Sequence, residues 1–206
     1  MAHWIKNAHR PETIRQAKEA YFERMSMCGV ERVFQVPHQR LAIWLKEEAE
    51  TLPDLETTLA EPAEEDALEL DELWSFVQKK DNKRWIWIAL LRSTRQIVAY
   101  AIGDRSEATC RRLWERIPSA LSSPANLQRL LGSLSKVVPP EQHQAVGKET
   151  GQTAHVERWN NTLRQRVGRF VRTTLSFSKS EPFHEIALKL FVFRYNRRRL
   201  ALISQT

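Results

Sequence analysis

Apolar residues recur at helical spacing through the first fifty positions, then give way to shorter, strand-like runs. Pro11 suits the first turn of a helix, and Ile14, Ala17, Ala20 and Tyr21 follow along one side. Gly29 to Phe34 reads as a compact segment and Gln35 to Pro37 as a turn; Pro37 then opens a helix that turns Leu41, Trp44 and Leu45 inward. This outline fits a helix-turn-helix whose second helix exposes His38, Gln39, Arg40 and Lys46, residue types that reach base edges or phosphates. It fits equally a small three-helix bundle with no DNA contact. Between Thr51 and Asp66 the chain turns acidic and carries Pro53 and Pro62, the composition of an exposed linker.

Three runs rich in Trp, Ile, Val, Phe and Tyr come next, at 69–77, 84–91 and 96–102, separated by polar turns around Lys80 to Lys83 and Ser93 to Arg95. They predict an antiparallel meander. Helical periodicity returns at Glu107 to Ile117, around Glu157, and from Glu181 to Tyr195. Strands followed by helices predict an α+β or α/β fold. The expected organisation is a helical region over 1–50, an acidic linker over 51–66 and a mixed domain over 67–206.

Composition narrows the function classes. The 206 residues, 42% of them hydrophobic, suffice for a sizeable buried core. A net charge of +7, from 32 Lys and Arg against 25 acids, favours polyanions such as nucleic acid, although a generic basic protein has the same balance. Cys28 and Cys110 fall in no metal-ligand or redox spacing, which predicts reduced thiols and a cytoplasmic protein. No apolar run approaches the roughly 20 residues of a membrane span, and the start is too polar for a secretory signal.

The candidate chemistry lies in two places. The run Thr153 to Arg164 sets one acid among cations and amides: on a helix, Glu157, Asn161 and Arg164 share a face beside an apolar stripe of Val156, Trp159, Leu163, Val167 and Phe170. Such an acid can bind a metal while Arg158, Asn161 and Arg164 hold a phosphate backbone, or the face can simply be a solvated one with ordinary charge pairs. Asp71 sits inside the first strand run, where an acid costs free energy unless it is paired, hydrogen-bonded or metal-bound. Alternation puts Glu69, Asp71, Leu73 and Ser75 on one side and Glu72 on the other. An edge strand with its acids facing water is the plainer reading. The C-terminal Arg194, Arg197, Arg198 and Arg199 could grip phosphates or form a solvated helix end.

The segment Leu68-Glu69-Leu70-Asp71-Glu72-Leu73-Trp74-Ser75-Phe76-Val77, the run from Gly147 through His155, Glu157, Arg158, Asn160 and Leu163 to Arg164, and Leu175-Ser176-Phe177-Ser178-Lys179-Ser180 together resemble transposases of the insertion-sequence-one family. The resemblance extends over nearly the whole chain, helix-turn-helix included. It implies an RNase H-like catalytic domain of the DDE type, in which two aspartates and a glutamate hold two Mg2+ ions for in-line attack on a phosphodiester. Asp71 then corresponds to the first acid and Glu157 to the third, both as catalytic metal ligands, and Arg164 to a basic position that contacts DNA near the cleaved end. His155, Asn160 and Asn161 belong to the same motif. The implied partners are double-stranded DNA, as transposon ends and target, and further copies of the chain in a homo-oligomer.

The chain departs from the family at the second aspartate. The family places it in a strand reading roughly Tyr-Thr-Asp-Phe-Trp-x-x-Tyr between an Ile-Pro and a Val-Val-Pro, here Ile117-Pro118 and Val137-Val138-Pro139. Arg129 stands at that spacing, and no Asp or Glu occurs between Glu115 and Glu141. Leu127 to Lys136 can be back-translated with permitted codons so that a one-nucleotide shift reads Phe-Ser-Asp-Phe-Trp-Glu-Ala-Tyr-Gln. The expectation is that about Leu121 to Ser135 is read out of the ancestral frame between two compensating indels. Sequencing the gene across codons 119 to 137 tests this; no adjacent frame encoding an Asp before Phe-Trp, or a close equivalent, would refute it. A guanidinium in place of a carboxylate removes a ligand and inverts a charge, so the two-metal site should be incomplete and strand transfer impaired or absent. The alternative is a non-catalytic DNA-binding remnant.

Overall fold

Strand formation follows the apolar runs closely. In the computed structural model, which describes residues 9–63, 66–121 and 154–205, β1 (Leu68–Val77), β2 (Lys79–Leu91) and β3 (Ile97–Gly103) pair in the order β1-β2-β3, antiparallel throughout. The first turn falls earlier than its polar residues suggest. Gln78 takes the left-handed conformation at φ 65°, and the ladder jumps from Phe76 opposite Lys83 to Val77 opposite Lys79, so the polar residues 80–82 lie within an irregular start of β2.

Register gives the sheet two apolar faces. Directly opposed residues share a face, so Glu69, Asp71 and Leu73 lie beside Leu90, Ile88 and Ile86, while Leu70, Glu72 and Trp74 lie beside Ala89, Trp87 and Trp85. The second face is covered by α4 (Glu107–Trp114), through Cys110 and Leu113. Gly103 is required there, because a Cβ would lie 2.4 Å from the Thr109 hydroxyl.

Helices cover the first face. They are α1 (Pro11–Tyr21), α2 (Met27–Phe34), α3 (His38–Thr51), α5 (Ala154–Arg166) and α6 (Glu181–Ile203). Ala17, Tyr21, Phe22, Val30, Leu41 and Leu45 of the N-terminal region form one continuous buried cluster with Ile86 and Ile88 of the sheet, Trp159 and Leu163 of α5, and Leu188 and Phe191 of α6. The N-terminal helices therefore pack into the same core as the sheet.

Two segments depart from the sequence expectation. The acidic stretch is less exposed than its composition suggests: residues 55–58 form a 3-10 turn, Thr58 and Asp66 are buried, and Asp66 accepts from the Ala67 and Ser93 amides. Gln96 fastens the same stretch, accepting from the Ala60 amide at 2.8 Å and donating to the Thr58 carbonyl at 2.6 Å. Likewise α6 runs past Tyr195 to Ile203, because its arginines have partners within the fold: Arg194 pairs with Glu19 and Glu48, Arg198 with Glu19, and Arg199 donates to the Thr94 carbonyl. Three of the four arginines read as a phosphate grip or a solvated helix end, Arg194, Arg198 and Arg199, thus tie α6 to α1, α3 and the β2–β3 turn. Asn196 completes the seam by bonding both backbone groups of Ile97, at 2.9 and 2.8 Å, much as a neighbouring strand would.

Candidate active site

The site forms where α5 lies along β1. Val156, Trp159, Asn160 and Leu163 are the buried positions of α5, the spacing of one helical face. Burying that face against β1 leaves Glu157, Arg158 and Asn161 at the surface. Asp71 is partly buried beneath this edge, and Asn160 donates from Nδ2 to its Oδ2 at 2.7 Å.

Electrostatics link the two predicted acids. The Asp71 carboxyl is pushed up to about 6, chiefly by burial, with the negative charges of Glu72 and Glu157 adding to it; the Glu72 amide and Asn160 oppose the shift. The Glu157 charge, on the helix, is thus felt at Asp71 on the strand. Glu72 points to the opposite face, where it pairs with Arg105, which also lies 4.5 Å over the Trp85 ring.

Glu69 lies two residues before Asp71, and its side chain is 0% exposed. It accepts from the His155 and Val156 amides at 3.1 and 3.0 Å, lies 2.9 Å from His155 Nδ1, and takes the Arg92 Nε–H at 2.8 Å. Burial opposes its ionisation, yet His155, Arg92 and the Val156 amide hold it below the usual carboxylate range. Alternation put Glu69 on Asp71's side, but its role at the start of α5 needed the contact between the two elements. Asn160 was legible as a buried position, since it falls four residues after Val156 on the apolar stripe; Asn161, the neighbour singled out, faces solvent.

Arg164 has a structural task. It donates to the carbonyls of Trp74 and Phe170, both at 3.2 Å, and burial, followed by the nearby charge of Arg172, lowers its pKa. His38 opens α3 and its Nδ1 lies 2.7 Å from Glu31, while Gln39 and Arg40 are exposed beside it. The two helices α2 and α3 are joined by Gln35, Val36 and Pro37, with Gln35 in the left-handed region at φ 56°. Arg129, at the position of the second family acid, lies outside the described residues.

Comparison with known proteins decides the family. Residues 67–198 match the family described as IS1 transposase. The chain belongs to that family. Its relatives include the insertion element iso-IS1n protein InsB of Shigella dysenteriae, 38% identical over 131 residues that cover 62% of this chain and 94% of the relative. The insertion element IS1 protein InsB of Shigella flexneri is 34% identical over 128 residues, covering 57% and 86% of the two chains. A third, the insertion element IS1 4 protein InsB of Escherichia coli strain K12, is 32% identical over 129 residues, covering 57% and 68%.

Membership in the IS1 transposase family makes this an insertion-sequence transposase by descent and implies DNA as partner. Transposases of this type generally use a divalent metal. Among the described residues no group of three or more His, Cys, Asp or Glu is gathered closely enough to hold one. The donors that are present suit a hard cation: the Asp71 carboxyl is raised by burial and by the Glu157 charge, and the buried Asn160 Oδ1 beside it lacks a hydrogen-bond partner. Mg2+ is commonly held through one or two carboxylates, with waters and substrate phosphate completing the shell. Asp71 and Glu157 fit one such ion; a second ion needs a ligand that they do not supply. No helix among the described residues is long and apolar enough to cross a membrane, and both cysteines are free.

Proposed function

We propose that the chain is a DNA transposase of an insertion sequence, built on an RNase H-like DDE scaffold, in which Asp71 and Glu157 hold a catalytic divalent ion and strand transfer is impaired by Arg129. What supports this reading is the packing of α5 along β1, where Asn160 bonds Asp71 and the Glu157 charge adds to the rise of the Asp71 pKa. When bound, the ion supplies a polarised water or 3′ hydroxyl and charge stabilisation at the phosphodiester. The chain's own residues do the rest. Asn160 fixes the rotamer of Asp71 through its 2.7 Å bond. Arg158 and Asn161 stand on the solvent side of α5 beside Glu157, where they can hold phosphate oxygens, and Arg164 shares that edge with N–H groups beyond the two bonds it makes.

The N-terminal region takes the recognition role in this reading. His38, Gln39 and Arg40 lie in the first turn of α3, after a three-residue connection, the placement in which a helix-turn-helix presents side chains to the major groove. Residues 1–50 read DNA, 51–66 connect, and 67–206 carry the chemistry, on a homo-oligomer that pairs two DNA ends.

A duplex carrying the element's ends, incubated with the purified chain and Mg2+ or Mn2+, tests the proposal. The expected result is binding that weakens steeply with salt, and cleavage that is weak, metal-dependent and abolished in Asp71→Asn and Glu157→Gln. Robust cutting by the unaltered chain would overturn the impairment, and cutting that survives both substitutions would overturn the site. The second reading, a DNA-binding remnant, is favoured by the missing acid at Arg129; salt-dependent binding with no metal-dependent cleavage under any condition would establish it.

A further inference from the structure

Among the side chains near the acid pair, Glu69 holds a position that the proposed chemistry does not use. It is fully buried, and its donors come from three places: Arg92 at the end of β2, the His155 ring, and the first amides of α5. The backbone contacts matter most. The early amides of a helix lack partners within it, and the helix dipole favours a negative charge at that end. Here that charge arrives from another element, 86 residues away in sequence.

Its location makes the bond consequential for Asp71 and Glu157. On β1 the anchor lies two residues before Asp71, on the same face; on α5 it ends at Val156, immediately before Glu157. Two further bonds continue the seam: Asn160 to Asp71, then Arg164 to the Trp74 carbonyl. Strand and helix therefore run in the same direction, fastened at three successive points. From Glu69 to Trp74 the strand advances roughly 16 Å at its usual rise, and from Val156 to Arg164 the helix advances roughly 12 Å. The fastening nearest Glu157 is the Glu69 carboxylate.

We propose that Glu69 is a positioning residue: by capping the start of α5 from within β1, it sets the separation and orientation of the Asp71 and Glu157 carboxylates, and so the affinity of the pair for a divalent cation. This rests on the reading of those two acids as metal ligands. It assigns Glu69 no contact with the ion or with DNA. Gln is the informative replacement, because it keeps the shape while removing the charge that two amides, a ring nitrogen and a guanidinium converge on.

Mn2+ binding to the full chain, read by electron paramagnetic resonance well below the unfolding temperature, tests the idea without relying on activity. Asp71→Asn first reports on the underlying reading: if the unaltered chain and Asp71→Asn bind Mn2+ equally, the acid pair is not the ion site and the reading itself fails. Where Asp71→Asn abolishes binding, Glu69→Gln is expected to weaken it about tenfold or more, the usual cost of losing a group that orients a ligand. Arg92→Gln serves as the control, since it removes a partner of the same carboxylate and leaves the α5 contacts in place; it should lower the melting temperature with little change in Mn2+ affinity. If Glu69→Gln does not fold, His155→Ala carries the test, with a smaller loss in the same direction. Unchanged Mn2+ affinity in the folded variant, or an equal loss in Arg92→Gln at matched stability, would overturn the proposal.

Discussion

Burying Asp71 costs the fold stability at neutral pH. Its carboxyl ionises at about 6 in the native chain against an ordinary value of 3.8, so between those values the folded state binds the extra proton. The favourable contribution is complete below pH 4 and is lost as pH rises through 6. Asp71→Asn should therefore unfold at higher urea than the native chain at pH 7.5, by about 1–3 kcal/mol, and at nearly the same urea near pH 4. Mg2+ should narrow the gap at pH 7.5 by stabilising the native chain alone. His184 has the opposite sign. Burial, then the charges of Arg169 and Arg84, lowers its pKa to about 3, so it stays neutral in the fold while an unfolded histidine protonates below 6.5. The stability it confers is present above pH 6.5 and is lost as pH falls toward 3. Between pH 6 and pH 5 the native chain should lose about 1 kcal/mol relative to His184→Gln in paired urea titrations, because that difference cancels the opposing Asp71 contribution.

At the scale of elements, the α5–β1 seam combines an apolar stripe with a polar edge. Leu163→Ala, at a fully buried position of that stripe, should lower the unfolding free energy by about 2–5 kcal/mol in urea titration. The strands and the helix phase were legible because each is a local pattern: alternation in Leu68 to Val77, and Val156, Trp159 and Leu163 at helical spacing. Asp71 stood out as an acid within an apolar strand run, and Glu157 as a lone acid among cations and amides. What sequence could not supply was pairing across long separations. The Glu69 anchor, the retained ion pairs of Arg194 and Arg198, and the carbonyl bonds of Arg164 all join distant elements, and no local spacing marks a charge as internally spent. The first turn was misplaced because Gln78, a residue with little turn preference, takes the left-handed conformation ahead of the more polar run that follows.

On the scale of the whole molecule, α1 to α3 and the sheet are parts of one core. Tyr21, Phe22, Val30, Leu41 and Leu45 are covered in part by Leu188, Phe191 and Val192 of α6. A fragment of residues 1–50 should consequently show little helical circular dichroism on its own, whereas the full chain should unfold in a single transition. Reinstating the second acid tests the other global expectation: Arg129→Asp should raise metal-dependent cleavage of element-end DNA above that of the unaltered chain.

The shared core has a geometric consequence. Phe191 lies 6.5 Å from Phe22 in ring centroids and 6.0 Å from Trp159, which links the N-terminal helices to the helix that carries Glu157 through a continuous run of packed rings. On the proposed reading, with α3 recognising DNA and the acid pair cutting it, the protein would act as a ruler of fixed length. The scissile phosphate should lie at a constant number of base pairs from the recognised sequence, and inserting a single pair between them should move the cut by one.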